Sequence, residues 1–155
     1  MAEASGIKII SENRKASHNY FLEERFEAGL VLTGTEVKSL REGKATLQDA
    51  YAIFKGREFF LINANIPTYK MGNLNNHEPL RTRKLLLHTA EINKLWGKME
   101  IRGHSLIPTK MYFKKGIAKI EIAIAKGKKA FDKRATEKEK EVKRDLAKVM
   151  KHRQR

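Results

Sequence analysis

Residues 107–124 read Ile107-Pro108-Thr109-Lys110-Met111-Tyr112-Phe113-Lys114-Lys115-Gly116-Ile117-Ala118-Lys119-Ile120-Glu121-Ile122-Ala123-Ile124. In the first half Ile107, Thr109, Met111 and Phe113 alternate with polar or charged positions, and in the second Ile120, Ile122 and Ile124 alternate with Lys119, Glu121 and Ala123. A period of two sends successive side chains to opposite faces of a strand. Lys114-Lys115-Gly116 between the two runs is a tight turn, so the segment is a β-hairpin with one buried face. Upstream, Tyr20 to Leu32 carries Tyr, Leu, Phe, Ala, Leu and Leu at even positions against Glu23, Arg25 and Glu27 at odd ones, with Glu24 the one exception. That is a second long half-buried strand. Tyr51–Lys55 and Glu58–Asn63 are aromatic and β-branched runs divided by Gly56-Arg57, a second hairpin.

Two short helices interrupt these strands. Thr33 with Glu36 three residues later fits a capping box, Val37 and Leu40 share a face, and Gly43 closes the last turn, which predicts a helix over 34–42. Ile92, Leu95, Trp96 and Met99 fall at i, i+3, i+4 and i+7 behind a capping Thr89, which predicts another over 90–100. The stretch from Pro67 to Pro79 is rich in Asn and Gly and reads as a loop. Five or six strands with two short helices in a chain of 155 residues fit a mainly β fold with short helices. The expected form is a small closed antiparallel barrel of the oligonucleotide-binding type, because closure removes exposed strand edges.

The composition changes at Lys126. Residues 126–155 hold 13 Lys and Arg against 5 acidic residues, net +8, in a chain whose formal charge is +15. The expected organisation is therefore a barrel domain over 1–125 and a basic tail over 126–155. Val142, Leu146, Val149 and Met150 make a narrow stripe at helical spacing, and Thr136 with Glu139 caps its start. Nothing else in the tail completes a core. Glu137 and Glu141, and Arg144 and Lys148, are like charges one turn apart and oppose an isolated helix by a few tenths of a kcal/mol each. The tail is expected to be disordered alone and helical when bound.

A pI near 10.1 favours a polyanionic partner. A membrane surface is a poor candidate, since no lipid signal or Trp-, Phe- and Leu-faced basic helix is present. No apolar run approaches the roughly 20 residues that span a bilayer, and Met1 to Lys8 lacks the order of a secretory signal, so a cytoplasmic location is expected. With no cysteine there are no disulfides or thiolate chemistry. The five histidines, at 18, 77, 88, 104 and 152, are not spaced as metal ligands. Gly43-Lys44 fails as a phosphate loop, because Lys38 stands where the first glycine belongs and Ala45 replaces the hydroxyl residue. Glu23, Glu24 and Glu27 make no acid–base pair, since a strand turns Glu24 away from the other two. Neither an enzyme nor a cofactor is expected. Arg81, Arg83 and Lys84 before Leu85-Leu86-Leu87, Lys119 outside an isoleucine-faced strand, and Lys126, Lys128 and Lys129 around Gly127 would form a cationic surface beside the barrel. Together with the tail they point to RNA or DNA. Neutralising about six to ten phosphates would cost roughly a thousandfold in affinity between low and moderate salt. A generic single-strand-binding module and a ribosomal protein share these features.

Several ordered blocks go further. Asn13-Arg14-Lys15-Ala16-Ser17-His18-Asn19-Tyr20-Phe21, Phe26-Glu27-Ala28-Gly29-Leu30 and Gly34-Thr35-Glu36-Val37-Lys38-Ser39-Leu40-Arg41 come first. Asp49-Ala50-Tyr51, Ala64-Asn65-Ile66, Arg81-Thr82-Arg83-Lys84-Leu85-Leu86-Leu87, Ala125-Lys126-Gly127-Lys128-Lys129 and Asp132-Lys133-Arg134 follow. In order and spacing they resemble the SmpB family, the protein partners of transfer-messenger RNA in ribosome rescue. The resemblance implies binding to the transfer-RNA-like domain of that RNA and entry into the vacant decoding site of the small ribosomal subunit. It implies that Glu27, Leu86 and Lys119 bind the RNA, with Asn13, Arg14 and His18 nearby. Glu27 would accept from a base edge or a 2′-hydroxyl, Leu86 would pack on an unstacked base, and Lys119 would take a phosphate. The tail, with Phe131 stacking on a ribosomal base beside Asp132, Lys133 and Arg134, would probe the empty messenger channel. Phe131 stands where relatives often carry histidine or tyrosine.

Overall fold

The computed structural model describes residues 6–100, 103–128 and 130–153. Lys129 lies outside these, as do the side chains of Phe131, Asp132 and Lys133. The described residues form seven strands: β1 (Ile7–Glu12), β2 (Tyr20–Leu30), β3 (Tyr51–Lys55), β4 (Glu58–Ile62), β5 (Arg83–Leu86), β6 (His104–Lys114) and β7 (Ile117–Gly127). The helices are α1 (Ala16–Asn19), α2 (Gly34–Arg41), α3 (Thr89–Met99) and α4 (Ala130–Arg153). Every pairing is antiparallel. The order β3-β4-β5-β2-β7-β6 returns to β3 through Ala52 and Leu106, which closes a barrel, and β1 adds to the free half of β6. The expected small antiparallel barrel with short helices and a basic tail is the observed fold.

Both hairpins sit where the turns were read. Lys115 (φ 50°) and Gly116 (φ 78°) join β6 to β7, and Gly56 (φ 57°) and Arg57 (φ 71°) join β3 to β4. Two consecutive positive φ values give the turn twist that matches paired strands. β4 stops at Ile62, one residue short of the expected end, where Asn63 turns left-handed at φ 59°. Two strands were not anticipated. β1 pairs Ile7–Glu12 with Lys110–Lys114, and β5 lies in what read as a basic stretch before a leucine triplet. The loop at 67–79 contains a 3-10 segment, Lys70–Asn75. α3 starts at Thr89 with His88 at the cap, one residue before the expected cap, and its Trp96 stays half-exposed while Leu95 is buried.

The barrel interior is filled by Phe26, Ala28, Phe59, Leu61, Leu85, Leu106, Met111, Ile120, Ile122 and Ile124, with Leu40 of α2 and Leu95 of α3 in the same cluster. Two bulges alter the simple alternation. In β6, Pro108 pairs with Ile122 but Lys110 pairs with Glu121, so Thr109 is an extra residue. In β2, Leu22 pairs with Ala125 and Arg25 with Ala123, so Glu23 and Glu24 together oppose Ile124. An extra residue reverses the face on which the following side chains point. Ile107, Tyr20 and Leu22 therefore leave the interior and pack outside the barrel on Ala16 and Ala125, whereas Met111, Phe26 and Ala28 point in. The exception noted at Glu24 is the bulge itself.

A buried ion cluster ties α2 to β5. Glu36 accepts from the Thr33 backbone N–H at 2.8 Å, as the capping box requires, but it also accepts from Arg81 at 2.6 Å and from Arg83 Nε. Arg83 donates onward to the carbonyls of Ala64 at 2.7 Å and Pro79 at 3.0 Å. His77 braces the same loop between Thr35 Oγ1 at 2.9 Å and the Ile66 carbonyl at 2.7 Å. Burial pushes the Glu36 carboxyl up, but the hydrogen bonds from Arg81, the Thr33 N–H and Arg83 outweigh it and hold the group below the usual carboxylate range.

Candidate nucleic-acid interface

Pairing across β5, β2, β7, β6 and β1 aligns one row of residues: Leu86 opposite Gly29, Gly29 opposite Lys119, Lys119 opposite Tyr112, and Tyr112 opposite Ile9. Directly paired residues share a face. The neighbours of this row in each strand, Ala28, Leu85, Ile120 and Met111, fill the barrel, so the row itself is on the outer wall. Leu86 is 51% exposed there. Gly29 makes this possible: a Cβ at that position would lie 3.3 Å from the Leu86 Cβ, so the missing side chain lets Leu86 lie flat over the sheet.

Glu27 stands two residues before Gly29 and so on the same wall. Tyr112 donates its hydroxyl proton to Glu27 Oε2, and Lys114 Nζ approaches that oxygen at 3.4 Å. The Tyr112 hydrogen bond, with Lys114 and Lys119 nearby, holds the Glu27 carboxyl below its ordinary pKa, against the opposing effect of burial. Burial and the Glu27 carboxylate in turn push the Tyr112 phenol well up, so at neutral pH the pair is a phenol donor on an ionised acceptor. Lys84, two residues before Leu86, adds another cation and pairs with Glu58 at 3.0 Å. Val31, whose N–H donates to the Lys84 carbonyl at 3.1 Å, is an exposed apolar edge. One wall thus combines the Glu27 carboxylate as acceptor, the ammonium groups of Lys84, Lys114 and Lys119, and an apolar shelf. That set can take a phosphate, a hydrogen-bond donor and the flat face of a base at adjacent points.

The cations expected beside the barrel fall in two groups. Glu27, Lys84, Leu86 and Lys119 share the wall just described. Lys126 lies at the far end of β7, about 23 Å along the strand from Lys119 at the usual rise per residue, and Lys128 follows just past the strand. Lys128 donates from its backbone to the Asn19 carbonyl at 2.9 Å and from Nζ to the Ser17 carbonyl at 2.9 Å, over the Phe21 ring at 5.0 Å. Lys126 is exposed there. His18 on α1 reaches Glu137 of α4 at 3.6 Å, and Arg14 is exposed beside Glu12 at 3.8 Å. Arg134 is exposed on α4.

Two expected surface positions are corrected. Arg83 is 0% exposed, because in β5 it alternates with Lys84 and points inward to Glu36. Asn13 is 9% exposed, and its side chain donates to the Pro108 carbonyl at 3.0 Å across the bulge of β6. Tyr112, Gly29 and Lys114 were not singled out from the sequence. The available signal was the hairpin register: with Lys115-Gly116 as the turn, Tyr112 must face Lys119. Among the described residues no group of three or more His, Asp or Glu is placed to hold a metal ion, and no helix is long and apolar enough to cross a membrane.

The model of the SmpB protein family matches residues 10–152. An SsrA-binding protein of Geobacter metallireducens is 53% identical over 148 residues, covering 96% of this chain and 97% of the relative. One of Shouchella clausii is 51% identical over 155 residues, covering 100% and 99%. A solved structure described as "tmRNA-SmpB: a journey to the center of the bacterial ribosome" superposes with a TM-score of 0.66 at 47% identity, over 77% of this chain and 85% of that one. With the match running through the strands that build the Leu86–Gly29–Lys119 wall and on into the helical tail, the chain belongs to the SmpB protein family.

Proposed function

We propose that this chain binds the transfer-RNA-like domain of transfer-messenger RNA and delivers it in the cytoplasm to ribosomes stalled without a stop codon. It acts by binding, as the family does, and not by catalysis. The observation that carries the reading is the convergence of Glu27, Leu86 and Lys119 on one outer wall. Chemistry of this kind suits an irregular RNA elbow: exposed bases and 2′-hydroxyls are within reach, whereas a continuous A-form major groove is too narrow for side chains. Lys119 neutralises phosphate, Leu86 supports an unstacked base, and Glu27 accepts from the RNA. The α1 end, with Arg14, His18, Lys126 and Lys128, is a second contact region close to the start of the tail, and Lys129, next in the sequence, is proposed to bind RNA with them.

The tail serves the ribosome. α4 carries Val142, Leu146, Val149 and Met150 as an apolar stripe that stays more than half exposed, so the barrel does not cover this part of the helix. A helix without tertiary packing is marginal in water, and its like-charge pairs weaken it further. The tail therefore orders fully only when it enters the empty messenger channel past the decoding centre, with Phe131, Asp132, Lys133 and Arg134 at the entrance. Messenger already in the channel excludes it, which restricts action to stalled ribosomes.

Truncation after Lys129 separates these roles. Affinity for the transfer-RNA-like domain is expected to stay near that of the whole chain in an electrophoretic titration, while peptide tagging on stalled ribosomes is lost. Equal loss of both activities, or equal binding of the intact chain to unstructured RNA of the same length, defeats the reading.

A further inference from the structure

Tyr112 is 4% exposed, yet it belongs to the outer row and not to the core. Its ring lies between Lys119 on β7 and Ile9 on β1, with Lys110 Nζ 5.7 Å from the ring centroid. Its single hydroxyl proton goes to Glu27 Oε2. The wall carries two carboxylates directly opposite one another, Glu27 and Glu121. Glu121 is already engaged, with Arg25 at 3.2 Å and the Thr109 hydroxyl both on its Oε2. Glu27 is likewise held through Oε2, by Tyr112, with Lys114 at 3.5 Å from Oε1, but its side chain is 37% exposed against 19% for Glu121, so its second oxygen is the one within reach of a ligand. A glutamate on an exposed strand otherwise samples several rotamers, and ordering it on binding would cost affinity.

We propose that Tyr112 is the positioning residue of RNA recognition, anchoring one oxygen of Glu27 so that the other is presented to a hydrogen-bond donor of the RNA. This rests on the wall being the RNA-binding face. Because an ionised carboxylate only accepts, the group it meets is an N–H or O–H: a base amino or imino group, or a ribose 2′-hydroxyl. Phosphates are repelled from Glu27 and fall to Lys119 and Lys114 on either side. The tyrosine thus sets the chemistry of the contact without touching the RNA.

The test uses the full chain with the isolated transfer-RNA-like domain, comparing Tyr112→Phe, Glu27→Gln and the double variant by fluorescence anisotropy. Tyr112→Phe keeps the ring and its packing and removes only the hydroxyl. It is expected to raise Kd roughly tenfold, the size of one hydrogen bond to a charged group. The double variant is expected to be no worse than about twofold beyond the weaker single. The dependence of log Kd on log salt stays as in the unaltered protein, since no phosphate contact is lost; a tyrosine with a merely structural role would instead loosen the lysines beside it and flatten that slope. Wild-type affinity in Tyr112→Phe, or losses that multiply in the double variant, overturns the proposal. Lys119→Ala and Glu27→Gln separate the two levels: if both bind normally the whole face is misassigned, and if both weaken while Tyr112→Phe does not, only the positioning role falls. Substituting 2′-deoxyribose in the protected nucleotides identifies the donor, because the Glu27→Gln penalty persists for a base donor and vanishes for a ribose one.

Discussion

Replacing Arg83 with alanine tests whether this arginine holds the fold or holds RNA. Both members of the Arg83–Glu36 pair have fully buried side chains. Removing one partner of such a pair costs about 3–5 kcal/mol, because the charge left behind is desolvated and uncompensated. Here the remainder is partly relieved, since Glu36 keeps Arg81 and the Thr33 N–H. Against that, the carbonyls of Ala64 and Pro79 each lose a buried donor, at about 1–3 kcal/mol apiece if no water replaces it. These contributions overlap, and a net loss of about 4 kcal/mol is expected. For a domain of this size each kcal/mol lowers Tm by about 2–4 °C, so Arg83→Ala melts roughly 8–16 °C below the unaltered protein. Measured by circular dichroism melts and urea titration, the loss belongs to folding; RNA affinity at a temperature where both proteins are folded changes little, and the salt slope is preserved. Should Arg83→Ala melt within a few degrees of the parent while losing one phosphate contact's worth of salt slope, about 0.7–0.9, the buried-anchor account is wrong.

Gly29→Ala places a methyl 3.3 Å from the Leu86 Cβ, an atom fixed to the backbone of β5, so the strand has to give by a few tenths of an ångström and stability falls by about 1 kcal/mol. The displaced shelf lowers RNA affinity about tenfold, ~1.4 kcal/mol, and paired urea and binding titrations distinguish the two effects. Acid sensitivity follows from Glu36. Its folded-state pKa lies below the ordinary 4.5, so it contributes stability that is fully present above that value and is lost as pH falls through the lowered one. The urea midpoint should therefore drop as pH falls from just above 4.5 through the lowered pKa, with a shallower drop in Glu36→Gln; parallel curves would show that other carboxylates govern acid unfolding.

Sequence by itself determined the parts of this protein whose signals are local. Lys114-Lys115-Gly116 between two alternating runs, Gly56-Arg57 between two others, and Thr33 with Glu36 each specify a turn or a cap within a few residues, because turn geometry and strand period depend on neighbouring backbone alone. The charge break at Lys126 needed only composition, and the ordered blocks, two of which hold Glu27 and Leu86, pointed to the family. Tertiary structure decided what depends on distant partners. Alternation made Ile107 and Met111 facemates until the bulge at Thr109 placed one outside the barrel and the other inside, a choice set by pairing with β7. Arg83 looked like its neighbour Lys84, and only the return of α2 to the barrel supplied the carboxylate that turns one inward while the other faces solvent. Glu36 read as a cap and became a buried anchor as well. Tyr112 met Glu27 across 85 residues because β6 and β2 flank β7, and no local pattern encodes which side chains two strands bring together across a third.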